Sequence, residues 1–136
     1  MRVYYDMHQE HPVPTDANDP KEDFFHRNTT VSEDATNCYA YAINIKGRSI
    51  NPGDISGADK IAGFKDTDEV YNAACQSDDL IYAGDNFRLV NNSKPTVPCY
   101  LVARFTTVID MHWRRIDSND EWSEKLPNRK ATRCEY

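Results

Sequence analysis

Residues 97–126 place the strongest limit on what this chain can fold into. Cys99-Tyr100-Leu101-Val102-Ala103-Arg104-Phe105 is a dense run of aromatic, branched and small apolar residues, and Val108 to Ile116 is another. Short runs of this kind read as strands. Trp122-Ser123-Glu124-Lys125-Leu126 follows the turn-forming Asp117-Ser118-Asn119-Asp120 and completes an antiparallel series. With 136 residues there is room for one domain with its own core and too little for two ordinary ones.

The remainder of the chain reads differently. Arg2-Val3-Tyr4-Tyr5 suits a short strand, but the polar stretch behind it carries Pro12, Pro14 and Pro20 and has little apolar surface to bury. Residues 1–33 are therefore expected to form an irregular arm. Asp34, Thr36 and Asn37 can each accept hydrogen bonds from the first free N–H groups of a helix. Cys38 to Lys46 then reads as a short, mostly buried helix, with Gly47 as a left-handed stop. Asn51-Pro52-Gly53-Asp54 breaks the chain into a turn, and Gly57 and Gly63 loosen the connection. Thr67-Asp68-Glu69 opens a second helix over Val70 to Cys75, with acidic residues where its dipole favours them. Leu80-Ile81-Tyr82 either extends that region or forms a short strand. Helices first and strands after predict an α+β fold, N-terminal helices packed on a C-terminal antiparallel β-sheet, with residues 34–136 as the core of a single domain.

Composition narrows the partners. Apolar residues make up 39% of the chain, the mean hydropathy is −0.78 and the formal charge is −6 with no basic block. Nucleic-acid binding needs clustered cations, so it is not expected, nor is docking to an anionic membrane. No signal peptide or membrane span is visible. The expectation is a soluble protein made in the cytoplasm, with a secretion apparatus or phage lysis as routes outward. Cys38, Cys75, Cys99 and Cys134 lack both CxxC pairing and disulfide-scaffold density, which favours thiols in a reducing compartment, though the spacing also permits one disulfide. His8 and His11 stand at HxxH spacing between prolines that keep them off a common helix face. No metal and no cofactor are expected from them. His26, beside Phe24-Phe25, reads as a packing residue.

The candidate chemistry begins at Cys38. A thiol at the start of a helix, behind polar capping residues, is placed where its anion is stabilised. Alternation along the strand around His112 puts Asp110, His112 and Arg114 on one face and Ile109, Met111 and Trp113 on the other. A histidine from that polar face, brought beside Cys38, could take the thiol proton and leave a nucleophilic thiolate.

Thr36-Asn37-Cys38-Tyr39 opening a helix, Asp110-Met111-His112-Trp113-Arg114 on a strand, and Glu121-Trp122-Ser123-Glu124-Lys125 on the next together resemble the papain-like cysteine hydrolases. The closest likeness is to the compact bacterial and phage cell-wall amidases and peptidases. The resemblance spans residues 34–46 and 97–126 and implies a papain-like core, with Cys38 as nucleophile, His112 as general base and Glu124 in the third, orienting role. That family usually carries histidine, asparagine or glutamine where this chain has Glu124. An oxyanion site would use the Cys38 backbone N–H and a neighbouring donor such as Asn37, and Tyr39, Asp110 and Trp113 would border the cleft.

The resemblance thus implies a cysteine peptidase or amidase that cleaves an amide bond in a peptide, a peptidoglycan stem peptide or a glutamine side chain, acting on the cell wall or, as a toxin or effector, on a host protein. A second class of function is a non-catalytic acidic binding or inhibitor protein on a degenerate scaffold, with Glu124 as the mark of lost chemistry.

Overall fold

In a computed structural model, residues 1–7, 36–45, 48–63, 65–95, 99–107, 111–116, 121–126 and 131–134 are described. Among them, β1 (Arg2–Asp6) pairs with both β2 (Leu80–Gly84) and β3 (Tyr100–Thr106), and β4 (Met111–Ile116), β5 (Trp122–Glu124) and β6 (Thr132–Arg133) follow. The result is a six-stranded sheet in the order β2-β1-β3-β4-β5-β6, antiparallel at every pairing. Three short helices accompany it: α1 (Cys38–Ala42), α2 (Asp68–Ser77) and α3 (Phe87–Asn92).

This corrects the expected order of helices first and sheet after, and with it the papain-like core. The antiparallel sheet dominates, and the α+β description holds only weakly. The first element is a strand, and it lies inside the sheet. Val3 and Tyr4 are fully buried, one on each face, Tyr4 under the α1 and α2 layer and Val3 with Val90 and Phe87 of α3, while β2 and β3 pair with the two edges of β1. Likewise β2 stands between α2 and α3 in the chain, and its Leu80 is fully buried.

Alternation sorts the side chains into two layers. Tyr4, Tyr100, Val102 and Trp113 face α1 and α2, packing with Tyr39, Ala40, Ile43 and Cys75. The Trp113 ring lies 4.9 Å from that of Tyr39 and 5.3 Å from that of Tyr4. Val3, Leu101, Ala103, Ile116 and Trp122 form the other layer, closed by Val90 and Phe87 of α3. Arg115 follows the first set, its guanidinium 3.9 Å from the centre of the Tyr41 ring, and Ser123 Oγ is 2.7 Å from Tyr41 Oη.

The helices begin as the sequence suggests, but α1 stops sooner than expected and α2 runs on to Ser77. Thr67 caps α2, its side chain accepting from Val70 N–H, with Asp68 and Glu69 in the first turn. α1 ends at Ala42, before Gly47, because Asn44 takes the left-handed conformation (φ 61°). Asn44 N–H donates to Tyr41 C=O at 3.0 Å and Ile45 N–H to Ala40 C=O at 2.8 Å, a Schellman closure in which asparagine replaces the expected glycine. Asp78, buried at the end of α2, accepts from Tyr39 Oη, Gly53 N–H and Ser56 N–H at 2.7, 2.7 and 3.1 Å. That carboxylate ties α1, the 51–58 turns and α2 into one unit behind Cys38.

Candidate active site

Asn37 is the residue that caps α1. Its Oδ1 accepts from Ala40 N–H at 3.0 Å and from Ile50 N–H at 3.3 Å, while Nδ2 donates to Ile50 C=O at 2.6 Å. The side-chain amide thereby holds the turn while Asn37 borders the site. Cys38 follows as the first helical residue, half-buried, at the edge of the core layer that contains Met111 and Trp113.

A cleft of about 330 Å³ opens there. Asn37, Cys38 and Met111 border one side, and Phe105, Thr107, His112 and Leu126 the other. Its wall is mostly apolar, with Cys38 and His112 as the groups capable of chemistry. Tyr39 and Trp113, expected at this border, are instead core residues 1% and 0% exposed. Asp110, His8, His11 and His26 lie outside the described residues.

His112 is held from behind. Its Nε2 is 2.6 Å from Glu124 Oε2, and Arg114 Nε donates to the same oxygen at 3.0 Å. A carboxylate accepts, so Nε2 carries the proton and Nδ1 presents its lone pair. The register explains why these three meet. Arg114 stands opposite Glu124 across β4 and β5, and His112 is its diagonal neighbour on the same face. Glu124 therefore occupies the orienting position, and Arg114 gives its charge a partner.

His112 and Glu124 belong to the face of the sheet opposite α1, since their odd-numbered neighbours Trp113 and Ser123 contact α1. Cys38 and His112 thus reach the cleft from opposite faces, both lining it at the start of β4.

Lys125 is the residue that sequence reasoning passed over. It directly follows the last residue of β5 and is only 2% exposed. Burial lowers its pKa, which an ionised Cys38 would oppose by favouring the ammonium.

The other thiols differ. Burial pushes Cys75 up to about 12, chiefly by desolvation, and raises Cys99 for the same reason. All four cysteines are outside disulfides. Among the described residues, no group of three or more His, Cys, Asp or Glu is placed to hold a metal ion, and no helix is long and apolar enough to cross a membrane. Compared with known proteins, the chain matches no family model, no curated protein and no solved structure.

Proposed function

We propose that this protein is a cysteine-dependent hydrolase that cleaves an amide bond in a peptide-like substrate through an acyl-enzyme. The observation that carries the reading is the pairing, around one cleft, of Cys38 with a His112 whose Nε2 is held 2.6 Å from Glu124. This reading stands on those side chains and needs no shared fold.

His112 Nδ1 accepts the Cys38 proton, and the sulfur attacks the substrate carbonyl carbon to give a tetrahedral oxyanion. Collapse breaks the C–N bond, the proton passes from His112 to the leaving nitrogen, and a thioester remains on Cys38. Water then loses a proton to His112 while its oxygen attacks the thioester, the second tetrahedral intermediate breaks its C–S bond and releases the carboxylic acid, and the proton returns from His112 to restore the thiol. Glu124 keeps the imidazole in the required tautomer and offsets its charge when protonated, as the carboxylate does in other triads. Phe105, Met111 and Leu126 give the cleft an apolar wall, which suits an apolar side chain beside the scissile amide.

The test is adduct mapping by mass spectrometry. With iodoacetamide at pH 6.5, Cys38 should be labelled far faster than Cys75 or Cys99, and His112→Ala should remove most of that advantage. With a panel of peptides and muropeptides, product release should require Cys38. Equal, slow labelling at every thiol would overturn the proposal and favour a binding protein.

A further inference from the structure

Arg114 joins the orienting carboxylate to the wall of the cleft. Its Nε donates to Glu124 Oε2 at 3.0 Å, the same oxygen that lies 2.6 Å from His112 Nε2. Its guanidinium carbon sits 4.8 Å from the centre of the Phe105 ring, and Phe105 borders the cleft together with His112. The register produces this chain of contacts. Phe105 stands opposite His112 across β3 and β4, Arg114 stands opposite Glu124 across β4 and β5, and alternation keeps all four on one face.

An oxygen shared by two donors is positioned by both of them. A guanidinium held over an aromatic ring has little freedom in where it aims its Nε–H, so Arg114 helps to set where Oε2 meets the edge of the His112 ring. The cluster is partly wet: the His112, Arg114 and Glu124 side chains are 23%, 26% and 14% exposed. Water screens charge-assisted hydrogen bonds, and its removal strengthens them.

We infer that Arg114 is a positioning residue that transmits occupancy of the apolar wall to the His112–Glu124 pair, so that a bulky apolar side chain on the substrate speeds the chemical step as well as improving binding. Such a side chain packs on Phe105 and excludes water from the ring and from the guanidinium over it. The hold of Arg114 on Glu124, and of Glu124 on His112, tightens as a result. The inference rests on the hydrolase reading and names its substrate class, an amide flanked by a bulky apolar residue. A glycine in that place leaves Phe105 wet and gains neither effect.

The neighbouring arginines do not take this part. Arg104 of β3 is engaged by Asp68 at 2.7 Å, and Arg115 of β4 lies 3.9 Å from the centre of the Tyr41 ring on the other face of the sheet.

The experiment is inactivation by N-acetylated glycyl and leucyl chloromethyl ketones, in the full chain and in Arg114→Ala and Arg114→Lys, with attachment at Cys38 established by peptide mapping. The sulfur forms a C–S bond to the methylene carbon, the C–Cl bond breaks, chloride leaves, and the thiol proton passes to His112. Saturation kinetics separate binding from the bond-forming step. In the wild type the leucyl reagent should bind more tightly than the glycyl one and also react about fivefold faster once bound, the lower end of the usual range for coupled sites. Arg114→Ala should keep the tighter binding and lose the fivefold advantage in rate. An advantage retained in full by Arg114→Ala, or absent from the wild type, would overturn the inference.

Arg114→Lys keeps a cation in place and serves where the truncated side chain fails to fold. It should restore only a minor part of the rate advantage, because an ammonium lacks both the flat surface and the fixed Nε–H direction. Full restoration would show that charge alone suffices and would overturn the positioning role. The two readings fail separately. If the Arg114 dependence holds but no leucyl peptide amide is hydrolysed, the hydrolase reading falls and the coupling stands. If such amides are hydrolysed with a rate advantage that Arg114→Ala leaves intact, the coupling falls alone.

Discussion

Glu124 shows how little a residue type says until its neighbours are known. Glutamate on a short strand near the end of a polar chain is ordinarily solvated, yet here it is largely buried and bonded to His112 and Arg114. Glu124→Ala should lower the rate of amide hydrolysis on the order of 10²-fold, because an unoriented base loses much of a contribution worth roughly 10²–10⁴. Glu124→Gln should recover part of it as an acceptor without charge, measured as kcat/KM on the same peptide. Lys125 gives a stability test of the opposite sign. Its folded pKa is depressed, so the unfolded chain binds more protons. The resulting penalty is present at neutral pH and relieved as pH rises through the folded value toward about 10.4. Lys125→Met should therefore raise the neutral-pH stability by about 1 kcal/mol and flatten this part of the pH dependence in urea titrations.

Each helix here is held more by its ends and its cover than by its length. α1 has only five residues, so an isolated segment would not be helical. Asn37 caps it and Asn44 closes it. Asn37→Ala should cost about 1–2 kcal/mol in chemical denaturation, since it removes the cap and leaves the Ile50 carbonyl and amide without their partner. Asn44→Ala should cost about 1 kcal/mol more than Asn44→Gly, because φ is 61° and glycine adopts that conformation without a Cβ clash. Both caps were visible in part. Asn37 could be read as a cap from its place before an apolar run, but the stop was expected at Gly47. Asn44 was passed over because asparagine adopts left-handed turns only where context favours it. α3 and β6 were not foreseen. α3 is six residues with one buried side chain, Val90, and β6 is a two-residue strand with both residues exposed, so neither leaves a periodic signature.

The sheet and the α2 layer are joined by one exposed carboxylate reaching an internal cation. Asp68 at the start of α2 receives Arg2 of β1 and Arg104 of β3, each at 2.7 Å, and Arg104 is 1% exposed while Asp68 is 51% exposed. Hydrogen bonds from Arg104 and then Arg2 hold the Asp68 carboxyl below its ordinary value. Its contribution to stability is therefore complete above the unfolded carboxylate pKa near about 3.9 and lost as pH falls through the lower folded value. Asp68→Asn should reduce the acid sensitivity of unfolding. At neutral pH it should cost toward the lower end of about 1–3 kcal/mol, given the solvent around Asp68. Residue order was enough to mark strands where β3, β4 and β5 lie, a helix opening at Cys38 and another at Thr67, and the alternation that sets His112 and Arg114 together, because these depend on local periodicity and capping chemistry. It could not place β1 inside the sheet, bring Glu124 against His112, send Tyr39 and Trp113 into the core or bury Lys125 just past β5. Those outcomes depend on strand pairing and face between segments far apart in the chain, where a single step of register exchanges a buried partner for a solvated one.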